Sequence, residues 1–155
     1  GAVVKLSHDS GLTLGAGIEE ISSNSGNDAE AENVTAYALY TMGPVSVGYQ
    51  GYYLDNGTAP TGGTSPTADY SGDAVGIAFN VNDQVSIGYQ KVSEDKEARA
   101  GTVGVTRDIK SLSAAYSTGG MTMSIQQTDT DNHAMDSAGA EKDTETVQVT
   151  LSFAF

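Results

Sequence analysis

The last twelve residues, Thr144–Phe155 (TETVQVTLSFAF), place Val147, Val149, Leu151, Phe153 and Phe155 at every second position, with Thr146, Gln148, Thr150 and Ser152 between them. A period of two marks an extended strand with unlike faces, because successive side chains point to opposite sides. The same alternation recurs in nine runs, roughly 2–7, 11–21, 33–42, 45–54, 71–81, 84–92, 102–116, 121–128 and 144–155. Nineteen Gly, abundant Ser and Thr, and few long aliphatic stretches favour many strands joined by turns over helices. The 155 residues are read as one all-β unit.

The connections alternate in character. His8-Asp9-Ser10, Gly43-Pro44, Asn82-Asp83 and Ser117–Gly120 are tight-turn sequences, whereas Ser22–Glu32, Asp55–Tyr70, Ser93–Gly101 and Thr128–Asp143 are long and polar. Short turns at one end and long loops at the other predict an antiparallel up-and-down sheet of the transmembrane-barrel kind. A Greek-key sandwich has no reason to keep that rhythm.

The two faces decide between membrane and water. One carries Leu12, Leu14, Ala16 and Ile18, then Val45, Val47, Tyr49, Gly51 and Tyr53, then Val75, Ile77 and Phe79, and so on to the last strand. The other carries Thr13, Gly15, Gly17, Ser46, Gly48, Gln50, Ser86, Gly88, Gln90, Thr122, Ser124 and Gln126. A solvated face of a soluble sheet is rich in Lys, Glu and Arg, which also blunt edge pairing. Here the polar face reads as small and uncharged, which suits a water-filled interior. The apolar face has no charge in its central part, where one Arg or Lys would cost about 2–4 kcal/mol against lipid.

If the chain ends at the inner side of a membrane, Tyr40, Phe79, Tyr116, Phe153 and Phe155 fall near the inner strand ends, and Tyr53 and Tyr89 toward the outer ends. Two aromatic girdles at the headgroup levels are expected of a membrane barrel. No run of about 18 apolar residues could form a transmembrane helix. Nor does a basic segment precede an apolar one as in a signal peptide, so a mature form or a fragment is expected.

Twenty acidic against seven basic residues give a net charge of −13, which disfavours nucleic acid as a partner. The absence of Cys excludes disulfides and thiol chemistry. Gly11, Gly15 and Gly17 lie within a strand and lack a following Lys-Ser/Thr, so they form no phosphate loop. Ser7-His8-Asp9 is contiguous on a turn and cannot give triad geometry. Asn33-Val34-Thr35 and Asn56-Gly57-Thr58 match a glycosylation sequon, which by itself carries no function. With two His and no acid pair in view, no enzyme is expected.

The terminal strand resembles the C-terminal assembly signal of bacterial outer-membrane barrels. Asn33–Met42 (NVTAYALYTM) with Gly43–Gln50 (GPVSVGYQ), together with Val85–Gln90 (VSIGYQ) and Asp108–Tyr116 (DIKSLSAAY), resembles the general diffusion porins of α-proteobacteria. The resemblance implies a homotrimeric, sixteen-stranded outer-membrane porin passing small hydrophilic solutes and ions. It also implies contact with the lipid bilayer and lipopolysaccharide, and recognition of the last strand by the barrel-assembly machinery. Nine strands is an odd number, and counting back from a periplasmic Phe155 puts Gly1 at an outer end. The chain is therefore expected to be the C-terminal half of such a porin. If residues 1–7 are not a full strand, eight strands would close a small barrel serving as an anchor or adhesion surface. A soluble β-sandwich binding domain is the third expectation.

Parity assigns wall residues. Lys5, Glu19, Gln50, Gln90, Arg107, Gln126 and Gln148 are expected to line the pore, where fixed charges select ions. The acid surplus predicts a preference for cations. Lys91 shares parity with Tyr89 and is expected to snorkel at the lipid rim. No cofactor is expected. Asp129, Asp131 and Asp136, around Asn132 and His133, offer oxygen ligands for a loop-bound Ca²⁺, but Ala134 stands where an EF-hand needs Gly.

Overall fold

The computed structural model describes residues 1–21, 31–55, 69–97, 104–135 and 142–154. These form one antiparallel sheet in which each strand pairs with its sequence neighbours. The strands are β1 (Ala2–Ser7), β2 (Leu12–Ile21), β3 (Ala31–Met42), β4 (Val45–Asp55), β5 (Asp69–Asn80), β6 (Val85–Glu97), β7 (Val105–Thr118), β8 (Met121–Asp131) and β9 (Thr144–Phe153). All nine alternating runs are strands, ordered as the simple meander that short connections dictate.

The short connections all lie at one end, called here the turn edge. Between β7 and β8, Gly119 and Gly120 take φ of +53° and +83°, the two positive values of a type I′ hairpin turn. Between β5 and β6, Asn82 Oδ1 accepts from the N–H groups of Gln84 and Val85, both at 2.9 Å. That local bond replaces ladder partners that the turning backbone loses.

At the opposite end the strands outrun the expected boundaries. β6 continues to Glu97 and β8 to Asp131, while β3 begins at Ala31 and β5 at Asp69. Ser93–Glu97 and Thr128–Asp131 are thus strand, not the polar loops that their composition suggests. The reason is cross-strand pairing of the charges: Arg107 with Glu94 at 2.6 Å, Lys110 with Asp131 at 3.4 Å and Lys91 with Asp108 at 3.7 Å.

Residues directly opposite one another share a face, and the register keeps the two faces distinct across the whole sheet. One row runs Leu12, Tyr40, Val47, Ile77, Tyr89, Leu112, Gln127, Val147. The next runs Thr13, Leu39, Gly48, Gly76, Gln90, Ser111, Thr128, Thr146. The first row starts at the turn edge on β2, yet on β9 it stands at Val147, six residues short of Phe153. That climb is about 20 Å over seven inter-strand steps of about 4.8 Å, so the strands incline roughly 30° from the perpendicular to the turn edge. A stagger of this kind is what inclined strands require.

Among the described residues no second layer covers either face. Met135 is the buried hydrophobic residue among those described, and no large side chain is fully buried. Val149 is 64% exposed, Phe153 57% and Ile77 48%. A two-sheet sandwich, which buries one face of each sheet against the other, is therefore not formed. Nor is an eight-stranded closed barrel: residues 2–7 pair fully with β2, and β1 and β9 are both edges.

On the apolar face every column from β2 to β9 meets an acidic or basic side chain toward the loops. These are Glu20, Glu32, Asp55, Asp73, Lys91, Lys110, Asp129 and Glu145 in strand order. Below that border the columns carry no charge. The uncharged band is about six to ten residues deep, or roughly 20–30 Å along the strands.

Candidate functional site

The polar face is built from hydroxyls and amides that answer one another across the ladder. Ser111 and Thr128 meet at 3.1 Å, Ser117 and Thr122 at 2.9 Å, and Thr41 and Ser46 at 3.0 Å. Gln50 Nε2 donates to Thr35 Oγ1 at 3.0 Å, and Thr35 Oγ1 in turn donates to the Gly51 carbonyl at 3.2 Å. Such bonds fix rotamers and leave spare lone pairs facing outward.

A transverse brace crosses this face near the loop end. The row Thr35, Tyr52, Gly72, Glu94, Arg107 places Tyr52 and Glu94 on either side of a glycine. The Tyr52 ring lies flat over Gly72, where a Cβ would stand 2.5 Å from the ring carbon Cζ. Lying down, the ring carries its hydroxyl across β5 to donate to Glu94. Glu94 Oε1 accepts from Arg107 Nη2 at 2.6 Å, and Arg107 Nη1 donates to the His133 carbonyl at 3.3 Å. Asn132 Nδ2 donates to the Thr106 carbonyl at 3.2 Å, so the segment after β8 is fastened to β7 at two adjacent residues. Tyr37 lies over Gly15 in the same fashion, a ring covering backbone that has no side chain of its own.

Beside the brace the polar face holds a concavity of about 750 Å³ reaching from β1 to β6. Its lining includes Glu19, Asn33, Gln50, Tyr52, Leu54, Tyr70 and Glu94. Glu19 accepts a 3.4 Å bond from Asn33 Nδ2.

Lys5, Glu19, Gln50, Gln90, Arg107, Gln126 and Gln148 all stand on the polar face. They are not one site. Glu19 and Gln50 share the concavity, Arg107 belongs to the brace, and Gln126 faces Gln148 across β8 and β9. Arg107 is not a free cation, because Glu94 neutralises it. Alternation in β6 and β7 gives Glu94 and Arg107 the same face, but only the register shows that they pair. The sequence reading of this face as small and uncharged is corrected by Tyr37, Tyr52, Tyr70, Leu39, Leu54, Glu94 and Lys96, all of which it carries. Parity with Gln50 is the signal that could have found Tyr52.

Tyr40, Tyr53, Phe79, Tyr89, Tyr116 and Phe153 stand on the apolar face, and Phe155 lies outside the described residues. Tyr53 is near a loop end. Tyr89 tops its apolar column below Lys91, but β6 continues eight residues beyond it to Glu97, so it is not at an outer strand end. Tyr49, on the same face, sits mid-column. Lys91 is on the apolar face at the charged border, opposite Lys110. Asp129 and Asp131 also belong to that border, Asp131 accepting from Lys110 at 3.4 Å. Asp136 lies outside the described residues. Among the described residues no three acidic, His or Cys groups are gathered as a metal would need.

Compared with family models, curated proteins and solved structures, the chain matches none.

Proposed function

We propose that this sheet is an arc of the wall of an outer-membrane porin, a water-filled channel for passive diffusion of small hydrophilic solutes and ions. One observation carries the reading. Among the described residues a single uncovered sheet has one face apolar up to a charged border and the other carrying hydroxyl, glycine and amide groups together with Tyr37, Tyr52, Glu94 and Arg107. In water, such an apolar face would need a second layer to cover it. Lipid supplies that cover, and the band depth of roughly 20–30 Å along inclined strands suits an apolar girdle about 25 Å tall. The polar face then lines the channel.

A strand edge cannot stand open in lipid. β1 and β9 run in the same direction, so joining them directly would give a parallel pair. An antiparallel ring needs an odd number of strands between them. The porin resemblance supplies the rest of the proposal: a sixteen-stranded ring, a trimer, lipopolysaccharide around the charged border, and insertion through the last strand. We place the cation preference at the outer rim, because Asp73, Asp95, Asp108, Asp129 and Asp131 stand on the lipid-facing side.

The test is reconstitution of the full chain into planar lipid bilayers. Discrete conductance steps are expected. Recovery of the chain as a folded monomer in water without detergent, with no conductance, would refute the reading.

A further inference from the structure

The concavity beside the brace has features that a passive wall does not require. Its floor is the face of the Tyr52 ring, pinned against Gly72 and held by its hydroxyl on Glu94. Leu54 and Tyr70, directly opposite each other on β4 and β5, extend the apolar surface. Around this floor stand Glu19 and the Gln50 amide, whose Oε1 is not used in its bond to Thr35. The volume, about 750 Å³, is that of a small-molecule site, and an apolar lining with a few placed polar groups is how such sites are made.

The geometry points to a saccharide-binding subsite on this wall, with Tyr52 as the platform for the C–H face of a sugar ring and Glu19, Gln50 and the Tyr70 hydroxyl bonding to its hydroxyls. The lining excludes the main alternatives. Glu19 disfavours phosphorylated or acidic solutes, while the Glu94 charge is already answered by Arg107 and neither repels nor attracts them. Among the described lining residues a metal ion would find Glu19 as the single carboxylate outside an ion pair, and that one accepts from Asn33. A neutral polyhydroxylated ring matches what is left: one flat apolar face, and acceptors and donors at its rim. An aromatic ring with a polar tip offers both kinds of contact at small entropic cost. The inference rests on the pore reading only for the route by which sugar reaches the wall.

The test uses the full chain in detergent micelles, titrated with maltose and observed by saturation-transfer NMR, with glycerol as the non-ring control. Saturable transfer to maltose alone is expected. Tyr52→Leu should weaken it about fivefold to tenfold, the worth of one good ring contact. Gly72→Ala should do the same with Tyr52 intact, since the new methyl group displaces the ring from the wall. Tyr52→Phe keeps the platform and should retain most of the binding. No saturable transfer, or equal transfer in all four proteins, would overturn the subsite. A chain that conducts in bilayers without binding maltose removes the subsite alone. One that binds maltose in micelles without conducting removes the pore alone.

Discussion

The Glu94–Arg107 pair gives the sharpest test of which face is wet. In the intact chain the two charges meet at 2.6 Å, with side chains 16% and 26% exposed, and cancel at that point of the wall. Arg107→Gln leaves a carboxylate there, and Glu94→Gln leaves a guanidinium. An ion passing about 7 Å away through water gains or loses about 0.6 kcal/mol, close to a threefold change in its local concentration. At 1 M salt, where the Debye length is about 3 Å, the effect should nearly vanish. The assay is the reversal potential across a planar bilayer under a dilute salt gradient. Arg107→Gln should raise the cation-to-anion permeability ratio, Glu94→Gln should lower it, and the double variant should return to the parent value. Variants that conduct normally with no shift, or with shifts of one sign, would refute placement of this pair on the channel wall.

Stability offers three further tests, each read by denaturant unfolding from lipid vesicles. Val149→Arg, mid-column on the apolar face, should cost about 2–4 kcal/mol, whereas Thr150→Arg on the neighbouring polar position should cost far less. Equal losses would mean that the faces have been assigned wrongly. Gly15→Ala drives a methyl group into the Tyr37 ring and should cost about 1–3 kcal/mol, with Tyr37→Ala relieving part of that loss in the double variant. Asp131→Asn breaks an ion pair whose side chains are 57% and 47% exposed, so stability should change by less than about 1 kcal/mol. A larger loss would show that the charged border is more than a solvated rim.

The strands and their faces were legible in the sequence because a period of two survives any uncertainty about strand ends. Thus Gln50, Gln90, Gln126 and Gln148 were placed by parity alone. Strand ends were not legible where charges gather. Ser93–Glu97 reads as loop by composition, and only the neighbouring strand, bringing Arg107 and Thr106 opposite Glu94 and Asp95, makes it strand. The brace was hidden for a related reason. Alternation gives a residue's face but not its partner, and the partner of Glu94 depends on the register between β6 and β7. Parity with Gln50 puts Tyr52 on the polar face, but that its ring lies down toward Glu94 depends on the glycine opposite, which only the register supplies.

Net charge shows the same limit on a larger scale. A balance of −13 suggests a cation channel, yet an ion in the channel responds to the charges on its own side of the sheet. Within the strands, Glu20, Glu32, Asp55, Asp69, Asp73, Asp95, Glu97, Asp108, Asp129, Asp131 and Glu145 stand on the apolar face at or beyond its border. The polar face carries Glu19 and Glu94 against Lys5, Lys96 and Arg107. A wall so nearly balanced exerts little selectivity of its own. In the proposed channel any ion preference would therefore arise at the charged border, whose acids are separated from the polar face by the thickness of one sheet. Such a preference weakens with salt over a Debye length of about 10 Å at 0.1 M. Neutralising Asp129 and Asp131 together should then lower cation preference only at low ionic strength, whereas Arg107→Gln acts at the wall itself.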